Sequence, residues 1–543
     1  MRQFAAVLSF SAHSRAFRLF LLGVGAVLVV AALTTAAGAQ PADVNVISDD
    51  VIGVNQTTSA HRQQPETTIA VDPHSPAVIV AGAQDFRRAT LQRATCGGDR
   101  WNGFYRSSDG GGTWTNALVP GFCSATTDAE RGVTPQQPGG SPLSQFSTTS
   151  DPVVAFDSQG NLYYAHNAFN QNPFSTVPRC VHETSRTSVS TYADDAATYV
   201  RTVMVPSGPG QAPIHFDCGP GASRFDDKEW ITVDRFSSDL PQRVYVSWTR
   251  FGSAGGDSTI WLSHSDDGAA SFSPPTQVNR PLPGELTASM PATDPSGNVY
   301  VVFAQIKDGG STTPRSGIWV ARSADGGQTF TQTEVAAIDE IPSPLYPGGF
   351  RTPLPAPAIA ADANGLYAVW AEELNGRAAI AFSRSVDGGQ TWSAPEEISI
   401  SSGQAFFPAL AVAGGTIHVA WYDSRLSTTS PTINKLDVYY SHAASSGSVS
   451  FSTPSRVTDV SFDPNLVSRF PVVCQPFIGD YIDIDAVGGG PAVVDWADNR
   501  NVVDPLTSAE CQDFIQRPTD PAIQSRLDSG ALDQETYAHV IGP

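Results

Sequence analysis

The stretch Ser385-Val386-Asp387-Gly388-Gly389-Gln390-Thr391-Trp392 decides how this chain is read, because near copies of it recur. Ser107, Asp109, Gly111, Thr113 and Trp114 repeat the pattern S-x-D-x-G-x-T-W residue for residue. Ser323, Asp325, Gly327 and Thr329 do the same, with Phe330 in the aromatic place. A looser copy runs through Ser265, Asp267, Ala269, Ser271 and Phe272, and a decayed one through Asp194, Ala196, Thr198 and Tyr199. Each position has a physical job. The carboxylate accepts backbone N–H groups in a tight turn, and glycine there takes a positive φ. The hydroxyls close the turn from the other side, and the aromatic ring leaves it as a packing wedge.

Working outward from these turns, seven units follow one plan: an apolar strand ending near Asp, a second strand rich in aromatics, and a third running into the turn. The first strands centre on Thr67–Asp72, Pro152–Asp157, Trp230–Asp234, Met290–Asp294, Pro357–Asp362, Pro408–Val412 and Tyr481–Asp485. The second strands include Val244–Trp248, Leu366–Trp370, Ile417–Trp421 and Pro491–Trp496. Runs of Val, Ile, Tyr and Trp split by Gly, Pro, Asn and Asp are strand signals, and no long helical period competes with them. Repetition of a four-stranded unit predicts an all-β propeller, which removes exposed sheet edges by radial closure. The count predicts seven blades, with six as the alternative. Unit seven lacks an obvious fourth strand, and Val44–Ile47 supplies one, closing the ring with the N-terminal segment. Its third strand is expected at Gln512–Ile515. The division expected is a leader over 1–39, the propeller over 40–518, and a tail over 519–543 with short helices beginning at Pro521 and Asp533.

The chain of 543 residues carries 53 acidic against 32 basic residues, a formal charge of −21. Without residues 1–39, which hold Arg2, Arg15 and Arg18 and no acid, 29 basic residues remain and the charge is −24. Such a balance argues against nucleic acid or an anionic membrane as partner. Arg15 and Arg18 precede the uncharged run Leu19–Leu33, and Ala37-Gly38-Ala39 offers small residues for cleavage, so export by a signal peptide is expected; an uncleaved membrane anchor is the rival. Six cysteines suit an oxidising compartment. Proximity pairs them as Cys96–Cys123, Cys180–Cys218 and Cys474–Cys511. No C-x-x-C, H-x-H or H-E-x-x-H occurs, which argues against zinc. A secreted monomer is the expectation.

The repeated turn resembles the Asp box (BNR repeat) of sialidases and related β-propellers. The resemblance implies that Asp109, Asp267, Asp325 and Asp387 are structural and sit on the face away from any active site. It places substrate on the opposite face, formed by second-to-third loops and the links between blades. A sialidase holds a sugar carboxylate with three arginines and uses a Tyr nucleophile and an Asp acid/base. By resemblance Asp99 is the acid/base candidate and Tyr481 the nucleophile. Arg87 or Arg88 lines the pocket by the same resemblance, and Arg250, Arg351, Arg425 and Arg469 are candidates for the carboxylate cluster, arginine being suited to bidentate recognition of carboxylates.

The chain also departs from that family. Enzymatic sialidases have six blades, and they carry an F/Y-R-I-P signature before the first unit. Here the stretch reads Gln63-Gln64-Pro65-Glu66-Thr67-Thr68-Ile69, with Arg62 out of register. A glycosidase using two carboxylates, Asp423 and Asp498 among them, is a second reading. Both belong to a W-x-D-x-R form, Trp421 to Arg425 and Trp496 to Arg500, which serves either a sugar or a structural clasp between adjacent blades. Asp226-Asp227-Lys228-Glu229 either caps a strand or contributes oxygen ligands to Ca²⁺, although no EF-hand spacing is present; no other cofactor is expected. Function therefore divides between an exo-glycosidase of sialidase type and a non-catalytic propeller that binds a glycan or a protein.

Overall fold

The computed structural model describes residues 42–47, 63–87, 100–170, 185–206, 225–252, 258–307, 315–341, 354–429, 433–466, 474–488, 490–516, 521–528, 531 and 533–542. They form seven antiparallel sheets arranged as a β-propeller. The innermost strands are Thr68–Val71, Thr148–Phe156, Phe225–Val233, Glu285–Thr293, Ala358–Asp362, Ala405–Ala413 and Asp483–Ala486, for blades one to seven. The core lies between neighbouring blades. The second strands are buried almost throughout, and Trp248, Trp370, Trp421 and Trp496 are fully enclosed within four of them.

The ring closes as the sequence predicts. Val44 and Asn45 pair with Ala538 and Tyr537, completing blade seven from the N-terminal side. The seam with blade one is stitched by carboxylates: Asp483 accepts from Thr68 Oγ1 at 2.9 Å and Ile69 N at 3.1 Å, and Asp485 accepts from Val71 N at 2.9 Å. Two expectations fail here. The third strand of blade seven is Glu535–Ile541, paired along Ala492–Asp498, whereas Gln512–Ile515 lies in the helix Ser508–Gln516. The reason is local. Thr507 and Glu510 form a reciprocal capping pair that starts the helix, Thr507 Oγ1 accepting from Glu510 N and Glu510 accepting from Thr507 N. The segment 519–543 is therefore no separate tail. The helix expected at Pro521 is present as Pro521–Asp528, but Asp533 leads into a strand.

The S-x-D-x-G turns all join third to fourth strands and share one hydrogen-bond pattern. In the Asp387 turn, Ser385 Oγ donates to Asp387 Oδ1 at 2.8 Å and accepts from Gly389 N at 2.9 Å. Thr391 donates to the same carboxylate through its amide (2.9 Å) and its hydroxyl (2.6 Å). Asp109, Asp267 and Asp325 repeat every one of these bonds within their own turns. The Thr hydroxyl and amide hold the Asp109 and Asp387 carboxyls down, to about 2. Glycine matters here for a second reason. A Cβ on Gly327 would stand 2.8 Å from Leu262, and one on Gly389 3.5 Å from Tyr300, so each turn seats closely on the preceding blade.

Candidate functional site

Each blade carries a residue of positive φ within four positions of the start of its inner strand: Glu66, Asp151, Lys228, Ala288, Ala356, Phe407 and Gly479. In blades two, three, four and six it coincides with a break in register against the second strand. This left-handed kink turns the chain at the front of the channel, the face opposite the S-x-D-x-G turns. Three of the seven positions hold ionisable residues, and these meet. From blade three, Lys228 Nζ reaches Asp480 of blade seven at 2.5 Å, Asp151 of blade two at 3.1 Å and Glu66 of blade one at 3.7 Å. Residues of four blades come together in this way only at the axis.

The cluster is buried, and its members are not equally satisfied. Asp151 also accepts from Gln84 Nε2 at 3.1 Å and Ser150 Oγ at 2.7 Å. Burial is the strongest single influence and opposes its charge, but Lys228 together with hydrogen bonds from Glu66, Ser150 and Asp227 overrides it and holds the carboxyl far below the usual range. Burial likewise opposes the Lys228 ammonium, and Asp151, Asp480 and Glu66 hold it well above its ordinary value. Glu66 and Glu229 go the other way, raised first by burial and then by the charge of Asp151. Glu229 is 1 % exposed, and neither of its carboxylate oxygens has a hydrogen-bond partner.

Tyr481 stands beside this cluster. Its hydroxyl donates to Pro152 O at 3.0 Å, and its ring meets Trp230 edge-on, centroids 5.5 Å apart. Burial, then the neighbouring acids Asp151, Glu66 and Glu229, push the phenol well above its ordinary value. Lys228, Glu229, Trp230, Asp480 and Tyr481 line a front cavity of about 50 Å³. Behind it the channel widens to about 400 Å³ between the far halves of the inner strands.

The described arginines among those expected on this face each pair with an acid. Arg250 grips Asp226 through Nε (2.6 Å) and Nη2 (2.9 Å), with its guanidinium 5.0 Å from the Trp261 ring centroid. Arg425 pairs with Asp423 at 2.6 Å and lies 3.9 Å over Tyr439; Arg500 pairs with Asp498 at 2.7 Å and lies 4.1 Å over Tyr537. Arg87 pairs with Asp85 at 2.6 Å, giving blade one the same D-x-R device. In all three the Arg amide also donates to its own Asp, at 2.8–2.9 Å. In blades six and seven the indole of the preceding Trp donates to the carboxylate as well. The clasp is thus closed within one motif rather than between adjacent blades, because a two-residue spacing lets the guanidinium fold back on its own turn. Arg500 also reaches Asp459 and Asp43 of the N-terminal strand, and Arg425 Nη2 donates to Ser399 O at 2.9 Å.

Arg250 and Arg425 are each held by an acid of their own blade. Arg88, Asp99, Arg351 and Arg469 lie outside the described residues, as do Cys96, Cys180 and Cys218. Cys474–Cys511 is a disulfide, and Cys123 is disulfide-bonded too. Among the described residues no helix is long and apolar enough to cross a membrane. The sequence reading named Lys228 and Glu229 within one run, as a strand cap or Ca²⁺ ligands, but missed that Lys228 meets Glu66, Asp151 and Asp480 of other blades. The available signal was register: Glu66, Asp151 and Lys228 all lie near the start of three successive inner strands.

No protein-family model matches this chain, and no curated relative does. Solved structures are similar to it at low identity. A protein of unknown function from Dyadobacter fermentans is 13 % identical, with 71 % of this chain and 94 % of that one covered and a TM-score of 0.42. An alpha-L-arabinanase of Penicillium chrysogenum, complexed with arabinobiose, is 12 % identical over 78 % of this chain and 99 % of its own, TM-score 0.41. A Hadza microbial sialidase is 11 % identical over 76 % and 68 %, TM-score 0.40.

Proposed function

We propose that this protein is an exported propeller that recognises a glycan on its front face. One observation carries the reading: carboxylates, a lysine and the crossed rings of Trp230 and Tyr481 are gathered at one mouth of the channel. The wider part of the channel behind it is lined by aliphatic side chains together with Arg235, Asp362, Asp483 and Asp485. Aromatic surface beside convergent polar groups is the chemistry that takes up hydroxyl-rich ligands. The Asp-box resemblance of the rear turns supports the same orientation.

Binding rather than cleavage by a Tyr nucleophile is the form this geometry favours. A nucleophilic phenol needs a neighbouring base to take its proton, and Tyr481 instead donates to a backbone carbonyl while nearby acids oppose its ionisation. The test is a glycan array and a fluorogenic glycoside panel with purified mature protein. Binding without turnover, weakened by Trp230→Ala, is the expected result. Hydrolysis of a sialoside that disappears in Tyr481→Phe and Asp99→Asn would establish the sialidase-type mechanism instead. Silence in both assays would remove the glycan reading.

A further inference from the structure

The front cluster holds five carboxylates, Glu66, Asp151, Asp227, Glu229 and Asp480, around a single lysine. Asp151, Asp227 and Glu229 each turn an oxygen inward, and these three oxygens lie within 4.8 Å of one another. A cation bonded to oxygen at about 2.4 Å spans such a set, since two opposed ligands then stand about 4.8 Å apart. The independent sign is Glu229, 1 % exposed and with both oxygens unpartnered. A buried carboxylate without a donor is rare, because desolvation goes uncompensated. Here it faces two further acids.

We propose that Asp151, Asp227 and Glu229 bind one hard divalent cation, Ca²⁺ fitting best, at the front mouth of the channel. The ligand set is all oxygen, which excludes soft metals in favour of Ca²⁺ or Mg²⁺. Mg²⁺ requires a tight octahedron at about 2.0–2.1 Å, whereas Ca²⁺ accepts irregular shells of 6–8 oxygens. Three carboxylates leave positions for water. Glu229 also lines the front cavity of about 50 Å³, more than the roughly 10–15 Å³ that one water needs. Lys228 would share Asp151, at 3.1 Å, with the ion, while its closest partner, Asp480, lies outside the ligand set. The ion would tie blade two to blade three at the axis, and the inference stands whatever the front face recognises.

The test uses mature protein stripped with EDTA. Tb³⁺ is titrated in with excitation of the tryptophans, Trp230 adjoining the ligand Glu229 in sequence; Ca²⁺ is then added in competition. Sensitised emission saturating at one ion per chain, displaced by Ca²⁺ at a Kd between about 1 μM and 1 mM, and a rise in the unfolding midpoint with Ca²⁺ are expected. Glu229→Gln and Asp227→Asn should each weaken binding at least about tenfold, the expected scale when one charged ligand is lost. Glu229→Gln without Ca²⁺ should unfold no earlier than the parent, since it removes an uncompensated acid. A crystal soaked in Tb³⁺ places the ion directly, even if both variants fail to fold. No emission and no shift with millimolar Ca²⁺, undiminished binding in both variants, or anomalous density away from the three carboxylates would each overturn the proposal. Protons would then be what neutralises the cluster.

Discussion

Replacing Lys228 by Met keeps the aliphatic stem and removes the one cation facing Asp480, Asp151 and Glu66 at 2.5, 3.1 and 3.7 Å. At an effective dielectric of about 20, one unit pair near 3 Å is worth roughly 5 kcal/mol of gross attraction. Most of that offsets the desolvation of the charges, so the net change on leaving the acids unpaired is about 3–5 kcal/mol. The pH dependence separates this loss from a packing defect. In the parent, Asp151 is held below and Lys228 above its ordinary value. Their contribution is therefore whole between the unfolded carboxylate and lysine values, and flat across pH 5–8. Without the ammonium, burial raises Asp151 and Asp480 into the company of Glu66 and Glu229, whose stability contribution is present at low pH and lost as pH rises. The deficit should be largest at pH 8 and shrink toward pH 5. Equilibrium urea unfolding in EDTA at several pH values measures it. A deficit under about 1 kcal/mol at pH 8, or one of constant size from pH 8 to 5, refutes the reasoning.

Other perturbations have separate outcomes. Ser385→Ala removes the hydroxyl that both donates to Asp387 and accepts from Gly389 N, and should cost about 1–2 kcal/mol in denaturant unfolding with front-face binding unchanged. Cys511→Ser opens a loop of 37 residues between the start of blade seven and its helical insertion; about 4 kcal/mol is the chain-entropy expectation, seen as early proteolysis or a lowered unfolding midpoint. His166 is buried with its ring 5.6 Å from that of Tyr164, and burial holds the imidazole down, to about 3 from its ordinary 6.5. The unfolded chain then takes the proton first, so stability is whole above about pH 6.5 and falls by about 1.4 kcal/mol per pH unit below it. His166→Gln should flatten the acid limb by that amount between pH 6 and 4; an unchanged slope would show that the ring accepts a proton while folded.

The propeller was legible because its signals are short-range. Each S-x-D-x-G turn fixes its own hairpin, and alternation of side chains marks the strands on either side. The closing pair of Val44–Asn45 with Tyr537–Ala538 was half legible: the first partner was named, the second was not. Glu535-Thr536-Tyr537-Ala538-His539-Val540 has strand chemistry, but the helices Ser508–Gln516 and Pro521–Asp528 intervene where other blades have a loop. Thr507-Ser508-Ala509-Glu510 was the overlooked marker of the first. The front face was less legible for a different reason. A D-x-R tripeptide reads equally as a ligand arm or as an Asx turn closed by its own guanidinium, and only coordinates separate the two. Lys228, Asp151 and Asp480 belong to three blades, so no window of sequence shows that they meet.

The outer edge of blade seven orders events in time. His539 bonds Asp43 from 496 positions away, and Val44 has no sheet partner until Ala538 arrives. A polypeptide emerging N-terminus first must carry Val44–Asn45 unhoused while six sheets assemble behind it. The wheel locks only when Glu535–Ile541 is delivered. Any shortened translation product would thus present a raw sheet margin to its neighbours, the kind of surface on which aggregation begins.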